Sequence, residues 1–351
     1  MKLKLLLDWS RKEFSHLPWR QNRTLYRTLV SEIMLQQTTV ATVKNHYERF
    51  LVTFPDLLSL CRASEDELLV AWKGLGYYRR ARNLKKMAQA LVEEHQGEFP
   101  DSMEELMKIP GIGLYTANAL IGIGMNQRAL AVDANLERVI SRLFGLRTPK
   151  GLQLQKEIQD LFLRKKIFPS DISSQGLNEA LMDLGRTYCQ ARKTSCEFCP
   201  LRADCFAFKE GHPLSYPFEG QKKKVSSSEH QLELLRIIVL KKNKILVYLK
   251  EPDEWLAGQF EMPTFILHST DSKLKQYPRL KLDFTAHFSF KTGITKYKIQ
   301  NKVVILTEKE FRKIPFMRAY QWRVADALSS NLSSATMKAI KKLQENPYIS
   351  V

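Results

Sequence analysis

The sequence predicts a two-domain chain, mainly helical over residues 1–220 and α/β over residues 231–351, joined by a linker at 221–230. Three observations carry this. Up to about residue 215, apolar residues recur at three- and four-residue spacing, as in Leu25, Leu29 and Ile33 and then Val40, Val43, Tyr47 and Phe50. That is the period of helices with one buried face. The run Tyr216-Pro217-Phe218-Glu219-Gly220-Gln221-Lys222-Lys223-Lys224 is proline-, glycine- and lysine-rich, as a solvated connection is. Beyond about residue 230, β-branched and aromatic runs at Leu235 to Leu240, Ile245 to Leu249 and Val303 to Leu306 read as strands.

Within the helical part, turn residues divide the elements: Phe54-Pro55-Asp56, Gly74-Leu75-Gly76, Gly97, Pro110-Gly111, Gly145 and Thr148-Pro149. Ser64 with Glu67 has the spacing of a capping box opening the next helix. Residues 310 to 345 read as one or two helices closing the small α/β domain.

The chain has 351 residues, 44% hydrophobic and 10% aromatic, enough for a sizeable core and unlike a disordered chain. No apolar run approaches the roughly 18 residues of a membrane-spanning helix. The N-terminal MKLKLLLDWSRKEF is too short in its apolar patch for a secretory signal, so a cytoplasmic protein is expected. Lys and Arg number 55 against 37 Asp and Glu, and 55 − 37 leaves a formal charge of +18. A positive surface field of that size suits a polyanion, nucleic acid first, through counterion release. The alternatives are charge kept for solubility or for an anionic membrane surface.

Four of the five cysteines, Cys189, Cys196, Cys199 and Cys205, fall within seventeen residues. A disulfide framework does not suit a large intracellular chain. Four closely spaced thiolates make a metal site, and spacing alone leaves tetrahedral zinc and an iron–sulfur cluster both open. Arg186, Arg192, Lys193 and Arg202 give the loop a positive charge suited to phosphate. Cys61 stands alone and reads as a small buried hydrophobe.

The sharpest local motif is Ile109-Pro110-Gly111-Ile112-Gly113-Leu114-Tyr115-Thr116-Ala117. Gly111 and Gly113 allow a tight turn into a helix whose N-terminal amides favour an anion. This has the form of a helix-hairpin-helix clamp on the DNA backbone, which reads phosphate and not sequence. Some twenty residues on, Val132-Asp133-Ala134-Asn135-Leu136-Glu137-Arg138-Val139 opens another helix. Asp133 there is an N-cap by residue type and, beside the clamp, a catalytic candidate.

Together these motifs resemble the endonuclease III superfamily of DNA glycosylases and, within it, the MutY-type adenine DNA glycosylases. Leu17-Pro18-Trp19-Arg20 is similar to the family's opening segment, and Ser31-Glu32-Ile33-Met34-Leu35-Gln36-Gln37-Thr38 to its catalytic helix. Gly74-Leu75-Gly76-Tyr77-Tyr78 with Arg79 to Asn83 resembles its DNA wedge, and Asn178 to Gly185 the helix before its cysteines. Trp255-Leu256-Ala257-Gly258-Gln259-Phe260-Glu261-Met262-Pro263 resembles the opening of its Nudix-like C-terminal domain. The resemblance implies a four-iron four-sulfur cluster on Cys189, Cys196, Cys199 and Cys205. It also implies a monomeric enzyme acting on double-stranded DNA with adenine opposite 8-oxoguanine or guanine.

Residue by residue, the resemblance makes Glu32 the general acid that protonates adenine N7. Glu32 sits on a largely apolar helix, where desolvation raises a carboxyl pKa. Asp133 is implied as the anion facing the sugar cation, with Asn135 bonding the pocket and Tyr115 backing Asp133. Gln37, Leu75 and Tyr77 are implied to wedge around the lesion, and Trp19, Arg20 and Glu179 to line the base pocket. Bifunctional relatives carry a lysine where Tyr115 stands, and tyrosine has no amine to form a Schiff base, so a monofunctional glycosylase is expected.

Two departures stand out. Ala134 replaces the family's usual glycine. In the lesion-reading loop, the best match is Ile294-Thr295-Lys296-Tyr297, with Lys296 in place of histidine; Ala286-His287-Phe288 fits worse. Nothing after Pro263 supplies the carboxylate helix of a Nudix hydrolase, so a recognition module is expected there. The competing readings are a thymine–guanine mismatch glycosylase of the same fold and a non-catalytic DNA-damage-binding protein.

Overall fold

The computed structural model describes residues 2–164, 167–169, 171–218, 229–280, 284–326 and 330–345. Most of the expected linker, residues 221–228, with its lysine run, lies outside these. The chain divides into two compact units, one of residues 1–63 and 74–223, the other of residues 64–73 and 224–351.

The first unit is helical. In chain order it holds α1 (Leu3–Phe14), α2 (Leu25–Leu35), α3 (Val40–Thr53) and α4 (Leu57–Arg62). After α5 (Glu65–Ala71), which belongs to the second unit, come α6 (Arg79–Glu94), α7 (Met103–Lys108), α8 (Leu114–Ala119), α9 (Ala134–Phe144), α10 (Leu152–Leu163), α11 (Ser174–Thr187) and the short α12 (Phe206–Lys209). The apolar spacing seen in the sequence is the buried face: Leu29, Ile33, Val43, Tyr47 and Phe50 are all 3% exposed or less. Side chains cap the helices where the residue types allow. Thr24 accepts from the Arg27 amide at α2, and Asp133 caps α9; such a cap contributes about 1 kcal/mol. A larger cluster joins α1, α9, α10 and α11 through Leu6, Leu136, Ile140, Ile158, Leu181 and neighbours.

The second unit contains β1 (His230–Ile238), β2 (Leu240–Lys241), β3 (Lys244–Leu249), β4 (Phe260–Glu261), β5 (Thr264–Ser269), β6 (Phe288–Ile294) and β7 (Tyr297–Ile305), then α13 (Glu308–Phe311), β8 (Gln321–Val324) and α14 (Ser334–Gln344). One sheet runs β5-β1-β7-β6, with β1 parallel to β7 and the other pairs antiparallel. In the other, β3 pairs antiparallel with β2, β4 and β8. The C-terminal stretch expected to be only helical contains β8. Its four residues, Gln321-Trp322-Arg323-Val324, carry too little periodicity to read as a strand, and pairing with β3 selects the extended form.

α5 carries the capping box read from the sequence: Ser64 Oγ accepts from the Glu67 amide, and Glu67 Oε2 from the Ser64 amide at 2.8 Å. It is tied within the second unit by an Arg323–Asp66 ion pair (3.2 Å), an Asn331 Nδ2–Asp66 hydrogen bond (3.1 Å) and Lys73 Nζ on the Ser330 carbonyl (3.2 Å).

Candidate active site

A cleft of about 900 Å³ in the first unit is lined by Trp19, Arg20, Glu32, Gln37, Tyr115, Asp133, Asn135 and Glu179. Every base-pocket and catalytic residue expected from the sequence therefore opens onto one cavity.

Glu32 lies on the cleft-facing side of α2 and is 5% exposed. Among the described residues, its one side-chain hydrogen-bond donor is the Tyr115 hydroxyl, 2.6 Å from Oε2. Burial pushes the Glu32 carboxyl up to about 7, with the nearby Asp133 and Glu179 charges adding to the rise and Tyr115 opposing it. Tyr115 was expected to back Asp133. It bonds Glu32 instead, because α8 leaves the clamp turn beside α2 and presents the hydroxyl to that helix.

The clamp turn itself is built as the glycines require. Gly111 has φ +96°, and a Cβ there would sit 2.8 Å from the Met87 methyl. Gly113 is the extended N-cap of α8, with open space where a side chain would stand.

Asp133 caps α9. Oδ1 accepts from the Asn135 and Leu136 amides at 2.9 and 2.8 Å, and Oδ2 from Asn135 Nδ2 at 2.8 Å. Asn135 thus spends its side-chain amide on Asp133 while lining the cleft. Burial pushes Asp133 above the usual carboxylate range, while these donors and Arg138 pull it back. The Asp133 carboxylate has three donors and a helix N-terminus, and Glu32 has one hydroxyl. When the two share a proton, it sits on Glu32. Ala134 is the first residue of α9 and exposed, so helical backbone accommodates its methyl where the family has glycine.

Arg138 extends the chain of contacts. Its guanidinium donates to Asn135 Oδ1 (2.8 Å), the Gly185 carbonyl (2.7 Å) and the Cys189 carbonyl (2.6 Å). A side chain at Gly185 would come 2.6 Å from Asn135 Cβ, so only glycine lets α11 pack this close.

The approach to Asp133 is fixed by Asn178, fully buried, which accepts from the Ala131 amide at 2.7 Å and donates to the Ala129 carbonyl at 2.9 Å. Across the pocket, Arg20 pairs with Asp183 (3.0 Å) and lies 3.7 Å from Glu179, which also pairs with Arg23. Asp183 further binds Ser10 Oγ at 2.5 Å and Arg186 at 2.9 Å. Arg23, Asp183, Arg138 and Asn178 were not singled out from the sequence; the last three lie inside recognised segments, and Arg23 lies in none.

Not every expected residue meets the cleft. Gly111, Gly113, Leu75 and Tyr77 lie outside its lining. Leu75 is 4% exposed and packed inward, so it is not placed to wedge, whereas Tyr77 is 56% exposed. Thr295 and Lys296 belong to the second unit. They form the exposed two-residue turn of the β6–β7 hairpin, with Thr295 at φ +48°.

The four cysteines line a cavity of their own with Arg142, Tyr188 and Arg202. Arg142, 2% exposed, donates to Cys189 Sγ at 3.3 Å, and Cys205 Sγ lies 3.4 Å from the Arg142 carbonyl oxygen. Burial pushes the Cys199 thiol up to about 12 and Cys205 upward too, so a positive group is needed to hold them as thiolates. Among the described residues, no three His, Cys, Asp or Glu side chains converge closely enough for a single metal ion. Sulfurs on one zinc lie about 3.8 Å apart, as Zn–S bonds of about 2.3 Å dictate. The four thiols around one cavity, with the buried Arg142 beside them, are a sulfur donor set of the kind that holds zinc or an iron–sulfur cluster.

Among the described residues no helix is long and apolar enough to cross a membrane. A family model described as the HhH-GPD superfamily base excision DNA repair protein matches residues 30–164. The adenine DNA glycosylase of Buchnera aphidicola subsp. Schizaphis graminum is 32% identical over 287 residues, which is 79% of this chain and 77% of that one. That of Arabidopsis thaliana is 34% identical over 83% of this chain, and that of Homo sapiens 37% identical over 58%. The chain spans 52% and 38% of those two relatives' length. A structure of a thermostable thymine-DNA glycosylase superposes with a TM-score of 0.52 at 27% identity, covering 59% of this chain and 95% of that one. A non-covalent endonuclease III–DNA complex gives 0.50 at 28%, covering 60% and 98%. Those neighbours share the helical fold, and the sequence relatives extend beyond it: the chain belongs to the adenine DNA glycosylase family, enzymes of base excision repair built on the helix-hairpin-helix fold.

Proposed function

We propose that the chain hydrolyses the N-glycosidic bond of adenine opposite 8-oxoguanine in duplex DNA, by a monofunctional mechanism. One observation carries the reading: a buried Glu32, its carboxyl pushed up to about 7 by burial, and a hydrogen-bonded Asp133 carboxylate face the same cleft. Adenine must leave the stack to reach it. Trp19, Arg20 and Glu179 then line the base pocket. Tyr115 holds Glu32 Oε2, leaving Oε1 to deliver the proton to N7 and turn adenine into a neutral leaving group. Asp133 faces the sugar as positive charge develops, the division of roles that paired carboxylates take in glycoside hydrolysis. Water completes the reaction at C1′. The clamp glycines Gly111 and Gly113 bring backbone amides to the DNA phosphates, and Gln37 and Tyr77 occupy the stack around the opened pair. At the hairpin tip, Thr295 and Lys296 supply a hydroxyl and a cation toward the lesion.

Cys189, Cys196, Cys199 and Cys205 would hold a four-iron four-sulfur cluster, which when bound cross-links their loop through iron–sulfur bonds.

The test is single-turnover reaction of the purified protein with duplexes bearing adenine opposite 8-oxoguanine or guanine, scored as alkali-labile sites. Adenine release is expected with both, faster opposite 8-oxoguanine, with borohydride trapping no protein on DNA. Strong trapping would mean a Schiff-base mechanism that Tyr115 cannot supply. Equal rates would remove lesion reading from Thr295 and Lys296. Release of thymine opposite guanine in place of adenine would favour the mismatch-glycosylase reading, to which the fold alone is neutral.

A further inference from the structure

Arg80, in the first turn of α6, is 7% exposed and makes an unusual set of contacts. One terminal nitrogen donates to the carbonyls of Ile33 and Met34, both at 2.9 Å, and of Gln36. The other donates to Thr38 Oγ1 and the Leu75 carbonyl, both at 2.9 Å, and to the Gly76 carbonyl at 3.2 Å. Helix-end carbonyls need donors, which accounts for Ile33 and Met34 at the end of α2. It extends to Gln36, the C-cap of α2, but does not account for Gly76.

Those two carbonyls belong to the peptide units immediately before Gln37 and Tyr77. Gln37 has φ +57° and Tyr77 φ +46°, left-handed values that non-glycine residues adopt at a cost. A residue's φ is its rotation about N–Cα relative to the preceding peptide, so holding that carbonyl restrains one of the two planes that define the angle. One guanidinium therefore restrains both strained residues and the end of the helix that carries Glu32. Its ring contact with Tyr77, 5.7 Å from guanidinium carbon to centroid, adds a further tie. Gln37 is exposed at the cleft and Tyr77 is exposed nearby in sequence to the turn.

We propose that Arg80 is the positioning residue that sets Gln37 and Tyr77 for base extrusion and couples them to the Glu32 helix. This rests on the base-extruding reading above. Lysine cannot substitute, because a single ammonium does not reach both segments in the way a planar fork does.

The experiment uses the full chain with Glu32→Gln to halt chemistry, and a duplex with 2-aminopurine opposite 8-oxoguanine. Fluorescence rises when that base leaves the stack. Adding Arg80→Lys is expected to leave DNA affinity within about threefold while lowering the rate or extent of the rise about tenfold. A similar fall is expected in single-turnover excision when Glu32 is kept. A folded Arg80→Lys protein with the unaltered fluorescence rise would overturn the proposal, because a merely structural arginine changes melting and not extrusion. Should Arg80→Lys not fold, Thr38→Val decides, since it deletes one acceptor and leaves the buried charge. About a threefold loss of extrusion supports the coupling, and an unchanged rise in folded Thr38→Val overturns it. No rise with Glu32→Gln alone would instead count against adenine extrusion itself.

Discussion

Glu32→Gln is expected to lower adenine excision by about a thousandfold or more, the upper range for losing a positioned general acid. The amide keeps the shape and the Tyr115 contact but has no proton to give. Parental single-turnover rates in Glu32→Gln would overturn the acid assignment. The pH dependence follows from the same burial. With its carboxyl pushed up to about 7, Glu32 is protonated below that pH and ionised above it. The parental rate should therefore hold on the acid side of pH 7 and fall about tenfold per unit above it. Stability follows the same sign. A folded value raised above the unfolded 4.5 means the contribution is fully present below about 4.5 and lost as pH rises through about 7. At pH 8 to 9 the buried charge costs on the order of 3 kcal/mol, so Glu32→Gln should melt higher than the parent there, with the advantage gone near pH 4.5. The residue most needed for catalysis is then one the fold would be steadier without.

Asp133→Asn is expected to give a loss of similar size by a different route. Asparagine caps a helix about as well as aspartate, so α9 should keep its N-terminus and melting should move by less than about 1 kcal/mol. What disappears is the fixed negative charge facing the sugar, a preorganised term that mutational series place at about 100- to 1000-fold or more. Measured side by side, Asp133→Asn should bind duplex DNA normally and release adenine very slowly. A variant that retains the parental rate would remove Asp133 from the chemistry and leave it a capping residue. Asp133→Ala serves as the contrast, since it should lose the cap as well and melt earlier.

Much of this was legible in the chain itself, for physical reasons. Glu32 is marked by its apolar helix, because a carboxyl among Val30, Ile33 and Met34 has nowhere wet to go. Asp133 is marked by residue type at a helix start, and Gly111 by the turn it permits. The cysteines declare themselves by proximity. The partners of these groups were less visible. Tyr115 could have bonded either carboxylate, and only the packing of α8 on α2 decides for Glu32. Asn135 reads as a pocket residue and lines the cleft, but its bond to Asp133 carried no mark in the sequence. Leu75 looked like a wedge and is core, since an apolar residue in a turn can face either way. Arg80 and Arg138 sit in helices rich in basic residues, and no period distinguishes a guanidinium that gathers carbonyls from one that faces solvent. β8 is too short to betray itself. What escapes the sequence is mainly the long-range polar contact, whose two ends carry no shared pattern.

The tie between Asp66 and the pair Arg323 and Asn331 has a consequence for dissecting the molecule. A polypeptide ended at the lysine-rich connection would keep Asp66 and Lys73 without Arg323, Asn331 and Ser330, which they meet in the intact protein. The excised C-terminal portion would, in turn, lack a helix it normally holds. The excision point that separates cleanly on paper severs these polar ties, so neither piece is a fair stand-in for the whole.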